Sequence, residues 1–197
     1  MSRERWDDAL PLGRWLDAVA APQPLPAGGR VASLAGAFAA ALVEKIGRIV
    51  LRSPGRSALH PAAQEVAARA AALRPLLLAV GEADDRAYAA IMAARRPPAG
   101  TAPSMPLHDA ELAAARLQVT LIEHCTEVME LAQRLADGVG PALAADLATA
   151  RYLAGAAAQG AMGNVEADLK NLGDDVAAAG VRRAAAAAMT RGATLRG

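Results

Sequence analysis

Residues 24–50 read PLPAGGRVASLAGAFAAALVEKIGRIV, and this stretch decides the fold. It opens on proline and glycine and then runs for thirteen residues, 31–43, without a charge. That is longer than an ordinary buried strand and shorter than the ~18 apolar residues that suggest a membrane span, so it predicts a helix buried on most of its faces. Small residues at Ala32, Ser33, Ala35, Gly36, Ala39 and Ala40 would let neighbouring backbones come close. The glycines that precede it, Gly28 and Gly29, fall at the expected helix start. Unpaired N–H groups and a partial positive charge there suit an anionic ligand.

Composition agrees with an all-α chain. Of 197 residues, 54% are hydrophobic but only 3% aromatic, so the apolar content is Ala, Leu and Val at the expense of strand formers. This length predicts a single domain over residues 1–197. A net charge of +1 with interspersed signs gives no basic stripe, which argues against nucleic acid as a partner. The single cysteine, Cys125, excludes an intrachain disulfide and a multi-cysteine zinc site. The three histidines, His60, His108 and His124, show no i, i+4 pair and no H-E-x-x-H spacing, so no metal is expected. The N-terminus is too polar for a signal peptide, and no segment reads as a membrane span; the expectation is a cytoplasmic protein.

Outward from the central stretch, residues 6–21 predict a short amphipathic helix with Trp15, Leu16 and Val19 inward, closed by Pro22 and Pro24. Residues 52–56, RSPGR, form a turn. A long helix follows from about His60 to Arg95, with Val66, Leu73, Leu77 and Val80 on its apolar face and Pro75 as a kink or break. Residues 96–106 read as a loop, and as the segment most prone to disorder. Further helices are expected over 107–137, 141–172 and from Asp174 onward, with Asp174 as N-cap. Gly155, Gly160 and Gly163 inside the fifth pattern would each cost about 1 kcal/mol relative to Ala, which suggests a close neighbour there.

Four segments together carry a resemblance to a known family. They are the turn Pro24-Leu25-Pro26-Ala27-Gly28-Gly29-Arg30 before the small-residue helix, Asp84-Asp85-Arg86-Ala87-Tyr88, CTEVMELA from Cys125, and Asn164-Val165-Glu166-Ala167-Asp168-Leu169-Lys170. In this order they resemble the cyclodeaminase/cyclohydrolase family, which includes the C-terminal domain of formiminotransferase-cyclodeaminase and free-standing methenyltetrahydrofolate cyclohydrolases. The resemblance implies an up-and-down bundle of about five to seven helices, a homodimer, and a folate cleft near the glycine turn. It implies one-carbon chemistry on tetrahydrofolate, with no cofactor beyond that substrate. The expected reaction is hydrolysis of 5,10-methenyltetrahydrofolate to 10-formyltetrahydrofolate, since the free-standing chain lacks a formiminotransferase domain. The alternatives are formiminotetrahydrofolate cyclodeamination, or a silent member that binds another anionic ligand or a protein partner. Departures from the family pattern underlie the last alternative: Ala27 and Arg30 in the turn, residues 52–56 in place of a lysine- and tyrosine-bearing loop, Pro98 for a lysine, and Asp168 for an asparagine.

Either folate reaction needs a carboxylate of tuned protonation beside a cationic carbon. Asp84, on an otherwise apolar helical stretch, is the candidate for that group; an ordinary solvated helix carboxylate is the other reading of it. The resemblance extends the binding set to Gly28, Gly29, Arg30, Tyr88, Asp146, Asn164 and Lys170. Asp146 could read a 2-amino-pyrimidinone edge through two parallel hydrogen bonds, or favour a helix start. Asn164 could meet the pterin edge or a helix backbone. Lys170 could take an anionic glutamate tail or serve the helix end. Arg30, Arg52 and Arg56 are anion candidates that could equally be solvated loop charges.

Overall fold

The computed structural model describes residues 11–96 and 105–195. Six α-helices and one short 3-10 segment follow in order: α1 (Leu12–Ala20), α2 (Gly28–Leu51), the 3-10 turn (Pro54–Leu59), α3 (His60–Arg95), α4 (Leu107–Ala136), α5 (Pro141–Leu169) and α6 (Val176–Ala193). Helices α2 to α5 run alternately up and down and pack as a ring of four neighbours, with α6 laid against α4 and α5. Among the described residues, no helix is long and apolar enough to cross a membrane.

The ring closes tightly because α2 carries small residues where its partners cross. At Gly36, an added Cβ would stand 3.0 Å from both Cys125 Sγ and a Leu77 methyl, so α2 touches α3 and the diagonal helix α4 at one point. At Gly47 the near atoms are Ala67 Cβ at 2.9 Å and the Ala63 carbonyl at 3.0 Å. Around these crossings Val43, Ile46, Leu73, Leu77, Leu121, Ile122, Leu135 and Leu147 are fully or almost fully buried. Gly47→Val is therefore expected to push α2 off α3 and cost about 1–3 kcal/mol. Gly163→Ala, where nothing lies within 4 Å, should gain up to about 1 kcal/mol of helix propensity. Thermal unfolding of the two variants checks the opposed signs.

Several details depart from the sequence expectation. In α1 the inward residues are Trp15 and Ala18, while Leu16 and Val19 face out at 62% and 41% exposure. Trp15 turns inward because the Arg30 guanidinium sits 5.2 Å from its ring, a cation–π pair that pins α1 to α2. Pro75 leaves α3 unbroken from His60 to Arg95. Asp175, not Asp174, caps α6, its carboxylate accepting from the Ala178 N–H at 2.8 Å. Of the α5 glycines, Gly160 meets Ala32 Cβ at 3.8 Å, an ordinary contact, and Gly163 meets nothing. Most of the predicted 96–106 loop lies outside the described residues.

Candidate functional site

The antiparallel ring brings the start of α2 and the last turns of α5 beside the stretches of α3 and α4 around Asp84 and Gln118. Helix α2 begins at Gly28, with Ala27 extended before it (φ −102°, ψ −175°). The next residue, Gly29, is buried against the side chain of Asp84, and a Cβ there would lie 2.1 Å from Asp84 Oδ2. Only glycine lets the carboxyl lie this close to the helix start.

Asp84 is held from the opposite side by α4. Gln118, buried to 1% exposure, donates through Nε2 to Asp84 Oδ1 at 2.5 Å. Its Oε1 accepts from Asn164 Nδ2 of α5 at 3.4 Å, so an amide relay joins α3, α4 and α5. Two turns before Gln118 on the same stripe, Glu111 is equally buried and takes Arg95 Nη2 at 3.0 Å. One turn beyond Asn164, Asp168 stands half-buried on the same face of α5.

The electrostatics follow from this crowding. Burial, reinforced by neighbouring Asp85, pushes the Asp84 carboxyl up to about 6 against the pull of the Gln118 hydrogen bond and the Arg30 charge. Burial, then the charges of Asp84 and Glu111, push Asp168 up to about 7, with Arg95 opposing. Both groups can thus gain and lose a proton near neutrality, as an acid–base site requires. Cys125 is fully buried and its thiol is pushed up to about 12, which leaves it a core residue rather than a nucleophile.

A raised carboxyl also sets a pH dependence. Between about pH 4 and 6 the folded chain keeps a proton on Asp84 that the unfolded chain, at 3.8, has released. This group's contribution to stability therefore falls as pH rises through that window. Asp84→Asn is expected to melt higher than the parent at pH 8, by the equivalent of roughly 2–3 kcal/mol, and to match it at pH 3.5. Equal melting at pH 8 would contradict the burial of this charge.

The other sequence candidates divide by place. Tyr88 is half-buried one turn after Asp84 on α3, and Gly28 is exposed in the first turn of α2. Arg30 is fully buried rather than open to a ligand: its Nη1 donates to the Leu78 carbonyl at 3.2 Å, with Asp85 at 3.9 Å and Glu82 at 4.0 Å. Gly81 admits it, since a Cβ there would stand 2.9 Å from Arg30 Cδ and 2.4 Å from Ser33 Oγ. Lys170 is exposed at the C-cap of α5. Asp146 belongs to the far end of the bundle, about 27 Å along α5 from Asn164, where Lys45 Nζ binds it at 3.0 Å. The chain direction puts Arg52 and Arg56 at that far end too. Gln118 and the Arg95–Glu111 pair escaped the sequence reading. Their signal was a seven-residue spacing, Glu111, Gln118, Cys125, of polar groups on the apolar stripe of α4.

Fold and site define a helical-bundle protein in which a glycine turn, two carboxyls raised toward neutrality and an amide relay gather near one end. The family model for formiminotransferase-cyclodeaminase matches residues 11–187, and the chain belongs to that family. Its fold is similar to the crystal structure of formiminotetrahydrofolate cyclodeaminase from Thermotoga maritima, with a TM-score of 0.87 and 24% identity over 95% of this chain and 92% of that one. No curated protein sequence matches it.

Proposed function

We propose that this chain acts on the one-carbon unit bridging N5 and N10 of tetrahydrofolate, as a formiminotetrahydrofolate cyclodeaminase. The observation that carries the reading is Asp84: a buried carboxyl that titrates near neutrality, seated against the α2 N-terminus and aimed by Gln118. In cyclodeamination N10 attacks the formimino carbon, and a base must take the N10 proton as the bond forms. Asp84 has the protonation range for that task. As a carboxylate it also stabilises the cationic one-carbon unit through the reaction. Membership of the formiminotransferase-cyclodeaminase family supports this reaction ahead of the hydrolysis expected from sequence.

Hydrolysis of 5,10-methenyltetrahydrofolate is the second reading. Water takes the place of the attacking nitrogen and the same carboxyl takes its proton, so the site's chemistry favours it equally. Assay of the purified protein on both folates tests the pair. Ammonia release with a rise in methenyl absorbance is the result expected; decay of that absorbance without ammonia would select hydrolysis. Turnover of neither above the uncatalysed rate would remove the folate reading.

A further inference from the structure

We propose that Asp168 is a second acid–base catalyst of this site, the proton donor that works opposite Asp84; the inference rests on the folate reading. The geometry begins with the relay. Asn164 reaches Gln118, and Gln118 holds Asp84, so this face of α5 is turned toward the Asp84 carboxyl. Asp168 follows Asn164 by four residues and shares that face, half-buried. Among the described residues no donor bonds its carboxyl, whereas every other carboxylate close to it is engaged: Asp84 by Gln118 and Glu111 by Arg95. A half-buried carboxyl left without a donor is available to a substrate.

The surrounding cations are committed to other partners. From α3 come Asp84, its neighbour Asp85 and Arg95, and from α4 Glu111; Arg95 is committed to Glu111. From α2 the cation is Arg30, held toward Asp85 and Glu82. From α6, Arg182 is turned to the Leu169 carbonyl at 2.8 Å and toward Glu166. The Asp84 charge acts on Asp168, and although Arg30 and Arg95 oppose it from nearby, among the described residues no cation is bonded to either carboxyl. With Asp84 ionised, its charge disfavours a second one on Asp168, so Asp168 is the carboxyl that keeps its proton longer. An asparagine at 168 would supply neither the charge nor the proton.

The reaction step balances on this pair. As N10 attacks the formimino carbon, the C=N electron pair moves to the outer nitrogen and Asp84 takes the N10 proton. Asp168 gives its proton to the outer nitrogen. The carbon–nitrogen bond then breaks, its electron pair leaving with ammonia, and the methenyl product keeps the positive charge the formimino cation brought. Asp84 now holds the proton, and transfer to Asp168 directly or through water restores the starting pair.

The test is Asp168→Asn, with Asp168→Glu beside it, assayed for cyclodeamination across pH and titrated by carboxyl carbon NMR; melting curves confirm that both fold. Asp168→Asn is expected to lower kcat by about 10²–10³-fold with a smaller change in KM, and to abolish the alkaline limb of the profile that Asp168→Glu retains. Asp84→Asn, titrated beside them, should lower the midpoint of Asp168, which no longer feels the Asp84 charge. An active parent whose Asp168→Asn variant keeps its kcat and its alkaline limb overturns the proposal, as does an Asp168 midpoint that Asp84→Asn leaves unmoved. A parent inactive on both folates is a different failure: it sinks the folate reading, and Asp168's catalytic role with it, even if the two carboxyls titrate as a pair.

Discussion

Asp84→Asn is expected to lower turnover of the preferred folate by about 10³-fold while leaving the protein folded and more stable at pH 8. The asparagine keeps the volume of the aspartate, and its Oδ1 can still accept from Gln118 Nε2, so the amide relay to Asn164 persists. What it lacks is a site for the proton released when the new bond to carbon forms. It also lacks the negative charge that faces a cationic carbon, and both deficits act on the transition state more than on binding. KM should therefore change far less than kcat, and the acid limb set by a group at about 6 should vanish from any residual activity. Steady-state assay by ammonia release or methenyl absorbance is the measurement. A loss smaller than about tenfold would mean the proton is taken elsewhere, with Asp84 a buried structural carboxyl.

Most of the fold could be read from residues whose signals are local. The uncharged run 31–43 became the middle of α2, and the boundaries of α3 came out at His60 and Arg95 as expected. Such features depend on propensity, period and punctuation, all of which lie along the chain. The misplaced details depend on partners instead. Leu16 and Val19 looked inward by hydrophobicity, but the contact of Trp15 with Arg30 decides which face of α1 turns in. Arg30 looked like an exposed turn charge, yet Gly81, fifty-one residues later, opens the space that buries it. In the candidate site, Asp84 and Asn164 were legible through family resemblance. Gln118, which joins them, was not, because a glutamine on an apolar stripe announces itself only when the opposite helices are in place. Asp146 shows the converse: its motif is present, but helix length carries it to the other end of the bundle.

The glycine turn supplies the sharpest separation between fold and function, through Gly29→Ala. Its new methyl would start 2.1 Å from Asp84 Oδ2, 2.7 Å from Asp84 Cγ and 3.0 Å from Gln118 Nε2. All three atoms belong to side chains, so the fold can yield by rotating Asp84 away rather than by moving a helix. Alanine also favours the helical state over glycine by up to about 1 kcal/mol, which offsets the rearrangement. Stability should therefore stay within about 1 kcal/mol of the parent. Activity should not, because a displacement of roughly 1 Å at an aligned catalytic group can cost about 10²-fold. Gly13→Ala, at the start of α1, is the control: nothing lies within 4 Å of its Cβ position, and it should keep near-parental kcat. If Gly29→Ala retained full turnover with Asp84 displaced, the base would need no alignment by the α2 start, and the reason for a buried glycine there would be packing alone. If turnover falls as expected while melting is unchanged, the glycine serves the carboxyl, and the start of α2 is part of the reacting centre rather than only its support.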